Sequence, residues 1–304
     1  MPDTVLRVGT FTRSVLLALG ERDGAFDRVG LDVEEIAVDS SPAQFAALSS
    51  GELDLALTSP DNVVAYRFVA ANPLGRVLPV RILGAVDRGL GLSLWSAPGV
   101  GSFEHLRGRR VGVDVASSGF AFVAYALLER VGLAPGDYEV VALGSTPRRA
   151  AALVEGRCAA TILNAGNELR VAGAKCTLVD TVDALGPYLG SVIAEVESPD
   201  HVVNDARRRF VDVVRSLVLE IVSDRRRGVV EEVARDVLGL TRNESASHYD
   251  CLVSSTTGLV ASGVVDVASV ANLVALRQRY RPSPELDGVA GDLDVFVAPW
   301  ARPD

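Results

Sequence analysis

The sequence predicts an α/β protein of two lobes, and three observations carry that expectation. The chain has 304 residues, 48% of them hydrophobic and 23% charged. At about 100–200 residues per domain, that suffices for two packed cores. Residues 1–190 alternate short apolar runs with helical stretches. The alternation also restarts after residue 80, as if one unit were written twice.

In the first half, Leu6–Thr10 is a short buried strand and Arg13–Glu21 a helix. Leu31–Val38 alternates apolar and polar residues, which is a strand period. Ser41-Pro42 opens a helix to Ser50-Gly51, Leu53–Leu57 is a strand, and Pro60 opens a helix to Ala71. Strands are then expected at Arg81–Val86 and Leu90–Ser96, separated by Asp87-Arg88-Gly89. In the second half, strands at Arg110–Asp114, Tyr138–Leu143, Thr161–Leu163 and Lys175–Val179 alternate with helices at Phe120–Arg130, Thr146–Glu155 and Asn167–Ala172. Such alternation implies parallel sheets covered by helices. Tyr188–Glu195 closes the set. Beyond Pro199 the period is helical over Asp200–Ser223, Gly228–Leu238, Glu244–Leu259 and Val267–Arg279, before a Pro-rich tail. The chain is therefore expected to cross between lobes near Asp87-Arg88-Gly89 and again near Leu185-Gly186-Pro187. Lobe 1 is then 1–87 plus 188–304, and lobe 2 is 88–187.

Composition narrows the function. Thirty basic against 39 acidic residues give a net charge of −9, the wrong sign for a surface that neutralises nucleic-acid phosphates. No run of 18 apolar residues is present, so no transmembrane segment is expected. The start Met1-Pro2-Asp3-Thr4 has neither a signal-peptide pattern nor a lipid-attachment cysteine, which implies a cytoplasmic chain, or an extracytoplasmic one if a leader has been removed. Cys158, Cys176 and Cys251 lack Cys-x-x-Cys spacing and read as small buried hydrophobes. His105, His201 and His248 are scattered, so no metal and no cofactor is expected. The chain reads as a monomer.

In a parallel sheet, ligands collect beyond the carboxyl ends of the strands. That edge gathers Thr10, Phe11, Arg13 and Ser14, then Ser59, Asp61 and Asn62, then Arg88 at the crossover. The second half contributes Ser117, Ser118, Phe120, Gly144-Ser145-Thr146, Asn164, Asn167 and Glu168. Four of these segments set small hydroxyl or amide residues at a helix start, where free N–H groups favour an anionic or carbonyl ligand. Arg13 or Arg88 could hold an anion by a bidentate fork. Phe11 and Phe120 could supply an apolar wall. The same residues also have ordinary roles as helix caps, turn residues and surface charges. Two functions follow: a small-molecule binder with a closing cleft, or an enzyme of lyase or hydrolase type using Asp61, Arg88 and Glu168.

Several segments also resemble a known family. Gly30-Leu31-Asp32-Val33 and Ala47-Leu48-Ser49-Ser50-Gly51-Glu52-Leu53-Asp54-Leu55-Ala56 are similar to its "GLDV…AL-x-SGE-x-DLA" signature. Leu106-Arg107-Gly108-Arg109-Arg110-Val111-Gly112-Val113 resembles "LRGKRVGV", Leu127–Leu133 resembles "LL-x-x-x-GL", and Ala151–Ala160 resembles "AL-x-x-G-x-xDA". The family is the type II periplasmic solute-binding proteins of ABC transporters, in the branch for sulfonates, taurine, nitrate and the thiamine pyrimidine precursor. The resemblance spans residues 5–195. It implies two α/β lobes joined by two crossover strands, hinge closure on a ligand in the cleft, and docking on an ABC permease if the chain is exported. Cytosolic enzymes share the scaffold, among them a sulfinate desulfinase. A nucleophilic cysteine in the first-lobe cleft has no counterpart here, because no cysteine precedes Cys158.

Overall fold

The computed structural model describes residues 4–303. The first half builds β1 (Thr4–Thr10), α1 (Val15–Arg22), β2 (Leu31–Ala37), α2 (Ser41–Ser50), β3 (Leu55–Thr58), α3 (Pro60–Phe68) and β4 (Val80–Asp87). The second builds β5 (Ser93–Ser96), β6 (Arg110–Val113), α4 (Gly119–Arg130), β7 (Glu139–Ala142), α5 (Thr146–Val154), β8 (Ala160–Leu163), α6 (Asn167–Gly173) and β9 (Thr177–Thr181). β10 (Ser191–Val196) precedes α7 (His201–Val222), α8 (Arg227–Leu238), α9 (Arg242–Val253) and α10 (Val267–Tyr280). Local chemistry sets the helix starts: Ser14, Ser40, Ser59 and Ser118 each accept a first-turn N–H, and Thr241 with Glu244 forms a reciprocal capping box.

The strands form two five-stranded sheets, ordered β2-β1-β3-β10-β4 and β7-β6-β8-β5-β9. The sheets are mixed rather than parallel throughout, which corrects the reading of the strand–helix alternation. β1, β2 and β3 pair in parallel, as do β6, β7 and β8. β10 instead runs antiparallel to β3 and β4, and β5 antiparallel to β8 and β9. The cause is the connection: β4 passes into β5, and β9 into β10, without a crossover helix, so each incoming strand enters its new sheet reversed.

The two crossings touch. A Cβ on Gly190 would lie 2.4 Å from Asp87 Oδ1 and 2.4 Å from Gly89 Cα, so only glycine fits there. The strand expected from Leu90 begins at Ser93 because Gly89, Leu90 and Gly91 all have positive φ, turning the chain between sheets.

Helices α7 and α8 pack on α1, whereas α10 packs on both α3 and α4 and so on elements of both sheets. One apolar core joins Val63 and Tyr66 of α3, Val123 and Leu127 of α4, and Leu273 of α10. The helix expected over Glu244–Leu259 ends at Val253, because residues 257–263 lie along β4 instead. There Arg88 N–H donates to the Gly258 carbonyl and Val260 N–H to that of Val86. The Pro-rich tail is ordered on the same strand edge, with Ala298 N–H and Trp300 Nε1 donating to Ile82 and Leu83. These segments cover an edge that would otherwise be open to pairing. No helix among the described residues is long and apolar enough to cross a membrane.

Gly258 permits the turn out of α9: its Cβ would meet three carbonyl oxygens, of Cys251, Leu252 and Ser254, at 2.5–2.6 Å. Gly258→Ala is expected to lower stability by about 1–3 kcal/mol, the range for overpacking. Urea unfolding that leaves the midpoint unchanged would contradict this reading of the turn.

Candidate functional site

A cavity of about 110 Å³ lies where the carboxyl ends of the strands of both sheets face each other. It has room for a small molecule, several times what one water needs. Thr10, Phe11, Arg13, Ser14, Ser59, Asn62, Ser118, Phe120 and Asn164 all contribute to its wall. The N-termini of α1, α3, α4 and α5 come to it through Ser14, Ser59, Ser118 and Ser145. Free N–H groups and the positive ends of helix dipoles therefore converge on one space from both sheets.

The cation of this space is Arg149 on α5, which is 1% exposed. Nε donates to the Ile162 carbonyl at 3.2 Å, Nη1 to the Gly144 carbonyl at 2.6 Å and Nη2 to Thr146 Oγ1 at 3.0 Å. A guanidinium has five N–H donors, so two remain for a ligand. No carboxylate hydrogen-bonds it, and burial pulls its pKa below the ordinary arginine value, although the Asp114 charge in the same wall partly opposes the shift. A buried, unpaired cation in a cavity wall is a site for an anion.

Acidic groups also border the cavity. Asp114 accepts the Ser118 hydroxyl. Burial pushes Asp87 up to about 6, although hydrogen bonds from Gly89 and Ser191 partly oppose the shift. Glu35, behind β1, takes the Thr10 hydroxyl and the Ser14 N–H, each at 2.7 Å, and pairs with Arg13 at 3.6 Å. Arg13 is thus committed to a carboxylate at the rim.

Six of the residues expected at the strand ends do not line this cavity, among them Gly144, whose carbonyl instead holds Arg149. Asp61 is 1% exposed and bound bidentately by Arg277 of α10, at 2.7 and 2.6 Å. Arg277 Nη2 also donates to the Ser117 carbonyl at 3.0 Å, tying α3 and α10 to the start of α4. Ser117 therefore serves the clasp through its backbone. Arg88 points away, donating to the Leu259 carbonyl at 3.3 Å. Asn167 bridges the lobes, donating to Thr12 Oγ1 at 3.3 Å and to the Asn164 carbonyl at 3.0 Å. Glu168 is buried beneath the Ala165-Gly166 turn, where Oε1 accepts Gly166 N–H at 3.2 Å and Oε2 has no partner. Asp61, Arg88 and Glu168 thus all lie outside the lining of this cavity.

The cysteines are unbridged, and burial pushes Cys158 up to about 11 and Cys251 to about 12, so neither offers a thiolate. Among the described residues no three His, Cys, Asp or Glu side chains gather as a metal site.

Sequence reasoning missed Arg149 and His248. Arg149 shares the buried stripe of α5 with Thr146, Ala150, Ala152 and Leu153, and an arginine at such a position was the available signal. His248 likewise lies on the buried stripe Ser245, His248, Tyr249, Leu252 of α9. With Leu238 of α8, Leu252 of α9 and Leu259 of the segment along β4, it closes the cavity from the C-terminal part of the chain.

Two lobes, two crossovers and a cleft lined by helix N-termini define the architecture of type II periplasmic binding proteins. The chain belongs to the NMT1/THI5-like family, whose model matches residues 13–215. Among solved structures it is similar to the alkanesulfonate-binding protein SsuA from Xanthomonas axonopodis pv. citri bound to MOPS, at 15% identity over 100% of each chain with a TM-score of 0.75. The periplasmic nitrate-binding protein NrtA from Synechocystis PCC 6803 shares 12% identity over 97% of this chain and 86% of that one, with a TM-score of 0.74. The desulfurization enzyme DSZB shares 16% identity over 91% of each, with a TM-score of 0.62. No curated protein matches the chain in sequence.

Two outcomes follow from the buried charges. Arg277→Met leaves Asp61 buried without its partner and is expected to cost about 3–5 kcal/mol. Unfolding within about 1 kcal/mol of the parent would show the pair to be dispensable. Burial raises Glu168 from an ordinary 4.5 to about 8, so the unfolded chain loses this proton first. The group's contribution is complete below about pH 4.5 and is lost as pH climbs through 8. His248, lowered to about 4, acts in the opposite sense, but its effect ends near pH 6.5. Glu168→Gln mimics the protonated acid, so at pH 8.5 it should be more stable than the parent by about 1.4 kcal/mol or more. That gap should shrink toward pH 5 in denaturant titrations; a gap independent of pH would contradict it.

Proposed function

We propose that the chain is the substrate-binding protein of an ABC-type importer and that it closes on a small organic anion. The observation that carries the reading is Arg149: a buried guanidinium with two free N–H donors, in the wall of a cavity ringed by helix N-termini from both lobes. Apolar side chains, including Phe11, Leu90, Phe120 and Leu259, border the same space. That combination suits an anion with a carbon body better than a bare inorganic ion. The family and the fold support a binder, and the neighbours that bind a sulfonate and nitrate are consistent with anion capture.

In this role lobe 1 comprises 1–87 with 188–304 and lobe 2 comprises 88–187, and hinge motion at the two crossings opens the cleft. Thr10, Ser14, Ser59, Asn62, Ser118 and Asn164 orient the ligand, and Asp61, Ser117 and Asn167 act indirectly by holding the lobes together. The permease is the partner to which the ligand is delivered.

The test is calorimetric titration of the parent and Arg149→Met with alkanesulfonates, alkanoates, nitrate and sulfate. The parent should bind an organic anion, and Arg149→Met should lose about 1.5–3 kcal/mol of that affinity, as expected for a charge-assisted bond. Equal affinity in the two proteins, or binding of inorganic anions alone, would refute the reading.

A further inference from the structure

α9 lies beyond the stretch that the family model matches, yet it puts a polar group in the cavity wall. His248 is 2% exposed and neither ring nitrogen is hydrogen-bonded by the described residues; Nδ1 is closed off on the side of the Ala165-Gly166 turn, which leaves Nε2 as the nitrogen a ligand can reach. The other buried polar side chains of the helix are satisfied by the protein. The Tyr249 hydroxyl donates to the Ile221 carbonyl at 2.9 Å, and Ser245 Oγ donates to the Arg242 carbonyl at 2.9 Å. On the side of the Ala165-Gly166 turn, a Cβ on Gly166 would lie 3.6 Å from Nδ1, so a backbone without a side chain admits the ring. Burial lowers the imidazole to about 4, which keeps it neutral at neutral pH, with one nitrogen a donor and the other an acceptor. A buried polar ring with an unmet hydrogen-bonding group is costly unless something else supplies the partner.

The other wall residues from the C-terminal part of the chain are Leu238, Leu252 and Leu259. A charged ligand group would be poorly solvated against these leucines, and the anion already has Arg149. A neutral polar atom meets both conditions. We propose that His248 is a specificity-determining residue, hydrogen-bonding an uncharged polar group on the carbon body of the organic anion. The inference rests on the organic-anion reading of the cavity and adds to it that the ligand's tail is not purely hydrocarbon.

Matched pairs of probes test this: alkanesulfonates and alkanoates of two to six carbons, each ending in methyl or in a hydroxyl of nearly the same size. Titrations compare the parent with His248→Phe and His248→Gln, and with His248→Met should the larger ring not be accommodated. For at least one chain length the parent should prefer the hydroxyl member by about tenfold or more. In the Phe or Met variant that ratio should fall to about one, through loss of the hydroxyl member, while the methyl member binds as well or better. Retained binding of the methyl member shows that the variant has folded with its cavity intact. His248→Gln, which keeps a donor and an acceptor, should preserve part of the preference. A parent that binds the anions without preferring a hydroxyl at any length, or a preference that survives in both apolar variants, overturns the proposal. A parent that binds none of the probes refutes the organic-anion reading, and this inference with it.

Discussion

One buried ion pair, Asp61 with Arg277, ties elements of the two sheets together beside the cleft. Both side chains are nearly inaccessible, at 2% and 4%, and both guanidinium contacts are shorter than 2.8 Å. Removing two charges from water costs several kcal/mol, and good bidentate geometry is what offsets it. Here the geometry does more than join α3 to α10, because the same guanidinium also holds the Ser117 carbonyl at the start of α4. Gly119 follows, and a Cβ there would come within 2.5 Å of Asp61 Cβ, so the start of α4 lies directly on the pair. An element of each sheet thus meets at one charge pair, beside the cavity but outside its lining. Asn167 to Thr12 and the exposed pair Arg148–Asp39 add contacts across the cleft, and the exposed pair contributes little by itself.

Closure determines what the cavity can hold. With both halves present, the N-termini of α1 and α3 oppose those of α4 and α5, and the buried Arg149 stands in the wall between them. Hydrogen bonds to charge strengthen when water is excluded. Burial also leaves the acidic groups nearest the crossing easier to protonate, since Asp87 is raised to about 6.

Much of this was legible in the sequence because it is local. Apolar periodicity located the strands and helices, and Ser14, Ser59 and Ser118 marked helix starts that do face one cavity. The sheet edge could be read from the same alternation. The direction of β5 and β10 could not, since it depends on which sheet each joins. Side-chain partners distant in sequence were equally hidden. Asp61 reads as a cleft residue until Arg277, 216 positions later, takes its carboxylate. Arg88 reads as an anion clamp until the return of residues 257–263 along β4 supplies the Leu259 carbonyl. Arg149 reads as an ordinary helix residue and His248 as one of three scattered histidines, although each stands on a buried stripe where a polar side chain needs a partner.

In the proposed function, Arg149 receives the anionic group of a small organic ligand held between the lobes. A crystal structure of the chain with its tightest-binding organic anion tests this most directly. Anionic oxygens are expected about 3 Å from the two free Arg149 N–H groups, with the Asp61–Arg277–Ser117 contacts retained. An anion seated elsewhere, with Arg149 bonded only to Ile162, Gly144 and Thr146, would contradict it.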